Sequence, residues 1–175
     1  MTEAAAPAAA FAGTDPIPDD GLLPVEPGYL HVLRARTLFA WLPLIVGALI
    51  LDSTLLDGSP FHGLPSVAVP LLALAVVLVA PGRVWARLGY RLAPTLLQVV
   101  RGWLFHVDTV VPFVRVQHID VSRGPLDKMF GTSTLVVHTA GTHNSIVTLP
   151  GLSPDRAAEI REIIRGQIRS DFDDR

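Results

Sequence analysis

Two long apolar runs fill the front of the chain, and short alternating runs fill the back. Residues 38–56, "LFAWLPLIVGALILDSTLL", form a 19-residue stretch with a single charge, Asp52. As a helix rising 1.5 Å per residue it spans about 28 Å, close to the roughly 30 Å hydrocarbon core of a bilayer. Residues 64–80, "LPSVAVPLLALAVVLVA", carry no charge and reach about 25 Å, enough for a near-upright crossing. Neither run has the polar face of a surface helix. The seven-residue link "DGSPFHG" makes the two helices antiparallel neighbours, so the pattern predicts a two-span transmembrane hairpin within residues 29–82.

After Pro81 the period changes. "RLGYRLA", "TLLQVVR", "WLFHVDTVV", "FVRVQHIDV", "STLVVHTA" and "SIVTLP" are short runs rich in β-branched and aromatic residues, separated by Gly, Pro, Asn or Ser. That is the pattern of a small β-sandwich or barrel. "RGW" at 101–103 and "AGTHNS" at 140–145 read as hairpin turns. Alternation around Asp120 places Ile119 and Val121 inward with Val116, Leu126 and Phe130, leaving Arg115, Asp120, Arg123 and Lys128 wet. The last element is helical, about 154–169. Ser153 is its N-cap, with Pro154 at the first position and Asp155 in the first turn. Ala157, Ile160, Ile163, Ile164 and Ile168 form its apolar stripe. Such a helix caps an open end of the β domain, 83–170. Gly166 suggests fraying, and 171–175 read as a short tail.

Residues 1–28 hold five acids, no Lys or Arg, and mostly Ala and Pro otherwise. They read as a disordered acidic tail, and the lack of a basic start and apolar core argues against a signal peptide. Over the 175 residues the charged fraction is 17%, below the roughly 25% usual for soluble proteins, which points to lipid. No cysteine is present, which excludes disulfides, thiolate nucleophiles and cysteine-ligated metals. The net charge of −2 conceals a basic region: residues 81–130 carry seven bases against three acids. Arg34 and Arg36 precede the first span, Arg83, Arg87 and Arg91 follow the second, and the link has no Lys or Arg. The positive-inside rule then puts both termini in the cytoplasm and the chain in the cell (inner) membrane.

Residues 111–141, "VPFVRVQHIDVSRGPLDKMFGTSTLVVHTAG", closely match the motif run of the bacterial PH-like family of membrane-flanked (YdbS-like) proteins. Upstream "WARLGYRL" resembles the start of that family's first strand, and "LPGL" before an Ala-containing helix resembles its ending. The likeness covers roughly residues 22–170, with Val116 and His118 as small departures. It implies a pleckstrin-homology-like sandwich capped by a C-terminal helix and tethered to a membrane hairpin. It also implies a membrane protein partner bearing related PH-like domains, and it supplies no catalytic residues.

Candidate chemistry is sparse. His31, His62, His106, His118, His138 and His143 show no HExxH or helical-turn pairing. They read as surface histidines with no metal site, although His118 and His138 lie on strands that would meet across a sheet. No GxSxG, GxGxxG or P-loop is present, which argues against an enzyme and against a cofactor. Asp52 is either a structural group at the outer interface or a proton or ion site. Arg83, Arg87, Arg91, Arg115, Arg123 and Lys128 either enforce topology or bind an anionic lipid headgroup or a partner. Nucleic acid is excluded by the lack of basic and aromatic interleaving. The expectation is a non-catalytic membrane-anchored interaction module docking a membrane partner, with lipid binding or a transporter subunit as alternatives.

Overall fold

Both apolar runs form helices, and both helices are longer than the runs. In the computed structural model, which describes residues 21–103, 106–140 and 146–173, α1 covers Gly28–Leu55 and α2 covers Leu64–Trp85. Each is long and apolar enough to cross a membrane, and little of either is buried by the rest of the chain. Pro43, Pro70 and Pro81 lie inside these helices, as transmembrane helices tolerate. Hydroxyls within α1 are satisfied locally, with Thr37 Oγ1 donating to the Leu33 carbonyl at 2.8 Å and Thr54 Oγ1 to that of Ile50 at 2.7 Å.

The first ten residues of α1 do not belong to the apolar run. They carry the helix into the folded domain, where Tyr29 and Val32 are buried in the core and Leu33 packs against it. This changes two expected boundaries. Residues 21–28, assigned to the tail by composition, belong to the fold: Leu23–Pro24 is strand β1, Val25 is buried, and the Glu26 N–H donates to the Gly151 carbonyl at 2.7 Å. Residues 1–20 lie outside the described residues. The β domain therefore starts before the hairpin, which is inserted into it.

The remaining strands are β2 (Gly89–Leu92), β3 (Leu96–Arg101), β4 (Val107–Pro112), β5 (Val116–Ser122), β6 (Ser133–Thr139) and β7 (Ile146–Leu152). They form two antiparallel sheets, ordered β1-β2-β3-β4 and β5-β6-β7. The run expected as one strand from Phe113 is divided. Phe113–Arg115 make a 3₁₀ turn between the sheets, with Phe113 buried, and β5 starts at Val116 with a register shift before His118. In place of the "RGW" turn expected, β3 ends at Arg101 and β4 starts at Val107, with Gly102 at φ 140°; residues 104–105 lie outside the described residues. Most of the second expected turn, 141–145, lies outside the described residues. The Gly-Pro break after β5 opens a one-turn helix, α3 (Pro125–Met129), rather than a plain turn.

Alternate residues of both sheets build the core. Leu97, Val99 and Val111 come from the first sheet, and Ile119, Leu135, Val137, Val147 and Leu149 from the second. Helix α4 (Pro154–Asp173) closes it with Ala157, Ile160 and Ile164, all fully buried. Each such isoleucine contributes roughly 1.5–3 kcal/mol by burial. Ser153 is the N-cap, its Oγ accepting from the Arg156 N–H at 3.3 Å. The helix continues through Gly166 to Asp173, past both the expected fraying point and the expected end. Gly151 shows why α1 seats here. Its φ is +79°, and a Cβ at that position would lie 2.7 Å from Tyr29 Cγ, so a glycine lets the ring rest on the β7 backbone.

Candidate functional site

The joint between hairpin and domain is built from residues on both sides of the spans. Asp127, at the third position of α3, is 3% exposed. One carboxylate oxygen accepts from the Gly124 N–H at 3.0 Å and the other from Thr132 Oγ1 at 3.0 Å. Arg36 of α1 lies 3.9 Å from the same carboxylate. Nearby, the His31 ring stacks on Phe130 at 5.6 Å between centroids. The sequence gives a signal for this group, since Gly-Pro-x-Asp after a strand is a helix-start pattern. Counting Asp127 only among the acids of a wet loop misses it.

The base of α2 is fastened differently. Trp85 Nε1 donates to the Glu26 carbonyl at 3.2 Å, and Arg87 Nη1 to the Trp103 carbonyl at 2.8 Å. Together they tie the end of α2 to the segment before α1 and to the β3–β4 loop. Between these elements, on the outer face of the four-stranded sheet, lies a cleft of about 510 Å³. Leu22, Leu23, Leu88, Val100 and Trp103 give it apolar walls, and Arg87 and His106 give it polar ones, with the charge on Arg87.

The six expected basic residues fall on separate elements. Arg83 is in the last turn of α2 and Arg87 just beyond it. Arg91, on β2, donates through Nε to the Gly21 carbonyl at 3.0 Å. Arg115 sits in the 3₁₀ turn, Arg123 between β5 and α3, and Lys128 in α3; all three are exposed. Of the six, only Arg87 lines the cleft.

His118 and His138 do meet, paired across β5 and β6. Their Nε2 atoms lie 2.9 and 3.7 Å from the two oxygens of Asp120, and all three side chains are on the outer face of the second sheet. No group of three such donors is arranged to hold a metal ion among the described residues. Within the hairpin, Asp52 caps α2, its Oδ1 accepting from the Gly63 N–H at 2.8 Å with His62 Nδ1 3.8 Å away. Within the domain, Arg156 Nε donates to the Tyr90 hydroxyl of β2 at 3.2 Å and Nη1 to Glu159 at 2.7 Å. Burial pulls the Arg156 pKa down, but these bonds outweigh it and leave it above its ordinary value.

A hairpin inserted near the start of a seven-stranded sandwich, with one C-terminal helix closing the core, can be compared with known proteins. A family profile described as "Bacterial PH domain" matches residues 37–168, well over half of the chain. The chain belongs to the bacterial PH domain family. The match runs from within α1 through α2 and strands β2–β7 into α4, leaving out β1 and the start of α1. A curated relative, "UPF0699 transmembrane protein YdbS" of Bacillus subtilis (strain 168), is 34% identical over 92 residues. That stretch covers 53% of this chain and 54% of the relative, so about half of each protein is compared. No solved structure matches the chain. The fold is thus a PH-like sandwich carried on a transmembrane-type hairpin, as in YdbS-like PH-domain proteins.

Proposed function

We propose that this bacterial PH-domain protein is a non-catalytic docking module. In this reading the hairpin spans the cell membrane with both termini in the cytoplasm, as the arginine distribution favours. The sandwich then presents a surface to a membrane protein partner carrying a related PH-like domain.

The observation that carries the reading is strand β4. It ends its sheet, so among the described residues one side of its backbone has no strand neighbour. Folded proteins usually blunt such an edge with charge, and an apolar edge is a template for another strand. Here Val107 and Val110 are about half exposed and Val114, just beyond, is 70% exposed. The acidic residue of β4, Asp108, is engaged by Gln98 Nε2 at 2.7 Å. A partner strand adding to β4 would gain main-chain hydrogen bonds and cover these valines.

The test is purification of the full chain from native membranes in mild detergent, as wild type and as Val107→Lys/Val110→Lys. A stoichiometric membrane protein that accompanies the wild type and is lost from the variant, with thermal unfolding unchanged, is the expected result. A strictly monomeric wild-type protein, or a variant that retains its companion, defeats the reading.

A further inference from the structure

We propose that the cleft at the base of α2 holds one anionic phospholipid drawn from the leaflet that adjoins the domain. This goes beyond the docking role, which rests on β4, and it stands on three independent features of the cleft.

The first is depth. The apolar run of α2 ends at Ala80, and the wall residues Ala86, Arg87, Leu88 and Gly89 follow within nine positions. The chain turns tightly there, with Ala86 N–H bonded to Gly82 O at 3.0 Å and Leu88 N–H to Trp85 O at 3.2 Å. At 1.5 Å per residue the near wall lies about 9 Å from the edge of the hydrocarbon. The headgroup layer itself is about 5–8 Å thick on each side. The mouth of the cleft therefore lies at the outer edge of the headgroup layer, where a long Arg87 side chain reaches toward a lipid phosphate.

The second is chemistry. A lipid needs an apolar wall for its glycerol and first methylenes and a cation for its phosphate. Leu22, Leu23 and Trp103 supply the wall, and Arg87 and His106 the polar contacts. Arg83, exposed one turn above, adds charge toward the membrane. The third is presentation. Trp103 remains 45% exposed, while its carbonyl is held by Arg87. An indole at this depth is in its favoured environment. Arg87 is placed both to fix the loop and to face the anion.

The test uses the full chain in detergent, examined by native mass spectrometry during titration with phosphatidylglycerol or phosphatidylcholine. The expected result is one retained phosphatidylglycerol, preferred about fivefold or more over phosphatidylcholine, the size expected of one base acting near an anionic surface. Arg87→Gln should remove that preference and Arg87→Lys should keep much of it, while Trp103→Ala should weaken retention of both lipids. Thermal unfolding of each variant checks that the joint still forms, and His106→Ala, which leaves the Arg87–Trp103 bond untouched, provides a second reading of the same cleft. Soluble glycerol phosphate should not compete at millimolar concentration; competition there would assign the cleft to a free anion and overturn the proposal. Equal retention of both lipids, or a preference unaffected by both Arg87→Gln and His106→Ala, overturns it as well. Neither result bears on partner capture by β4, so the two readings fail separately.

Discussion

Replacing Asp127 with Ala separates a cap from an ion pair. Two contacts of the carboxylate are lost inside the fold: the Gly124 N–H at 3.0 Å and Thr132 Oγ1 at 3.0 Å. Loss of an N-terminal helix cap costs about 0.5–2 kcal/mol. Thr132 is fully buried, so its hydroxyl loses a partner away from water, which costs roughly 1–3 kcal/mol. The Arg36 side chain is 55% exposed and 3.9 Å away, so screening leaves that pair near 0–1 kcal/mol. Asp127→Ala should therefore destabilise by about 2–4 kcal/mol, against less than ~1 kcal/mol for Arg36→Ala. Chemical denaturation of the full chain in a fixed detergent, followed by tryptophan fluorescence, measures both. Adding Thr132→Val to Asp127→Ala removes the orphaned hydroxyl and should recover about 1–2 kcal/mol of the loss. If Arg36→Ala is as damaging as Asp127→Ala, or the double variant recovers nothing, the carboxylate acts mainly through charge and the reasoning is wrong.

Two further predictions concern the joint and the hairpin. A fragment of residues 82–175 lacks Val25, Tyr29 and Val32, each contributing roughly 1.5–3 kcal/mol of burial, a sum comparable to a whole domain's stability of about 5–15 kcal/mol. It should show no cooperative melting transition, whereas residues 21–37 joined to it by a flexible linker should restore one; a stable 82–175 fragment contradicts the shared core. Asp52→Asn keeps an oxygen for the Gly63 N–H and should leave the hairpin intact, while Asp52→Leu should loosen it by about 1 kcal/mol, the size of a lost cap. Unfolding of the full chain in increasing dodecyl sulfate reads the difference, and an Asn variant as weak as the Leu variant would mean that the charge itself is required.

Much of this architecture is legible from local pattern. Runs of nineteen and seventeen mostly apolar residues with one charge between them leave a chain few options other than helices in lipid, because the backbone must satisfy itself there. Short runs of β-branched and aromatic residues between Gly, Pro, Asn or Ser mark β3, β5, β6 and β7, and the Ser153-Pro154 start with its isoleucine stripe marks α4. The motif run 111–141 also pointed to the family, because its Gly, Pro and charged positions are tied to one particular corner of the sandwich. The histidine pair at 118 and 138 was visible as two strand residues of the right parity.

Other features depend on contacts between residues distant in sequence. β1 is two residues long and has no periodicity to read; it is a strand only because Tyr90 and Gly89 pair with it. Residues 28–37 look like a polar lead-in to a span, yet Tyr29 and Val32 become core because β7 offers a glycine for the ring to rest on. Asp127 resembles any loop acid until α1 and Thr132 close around it. The cleft joins residues 22–24 to residues 86–89 and to Val100, Gly102, Trp103 and His106, the first segment being separated from the others by the entire hairpin. Hydropathy and period are properties of neighbouring residues and so can be read along the chain. The joint, its buried acid and its cleft arise where the inserted hairpin returns the chain to the same sheet, and only the folded structure brings those segments together.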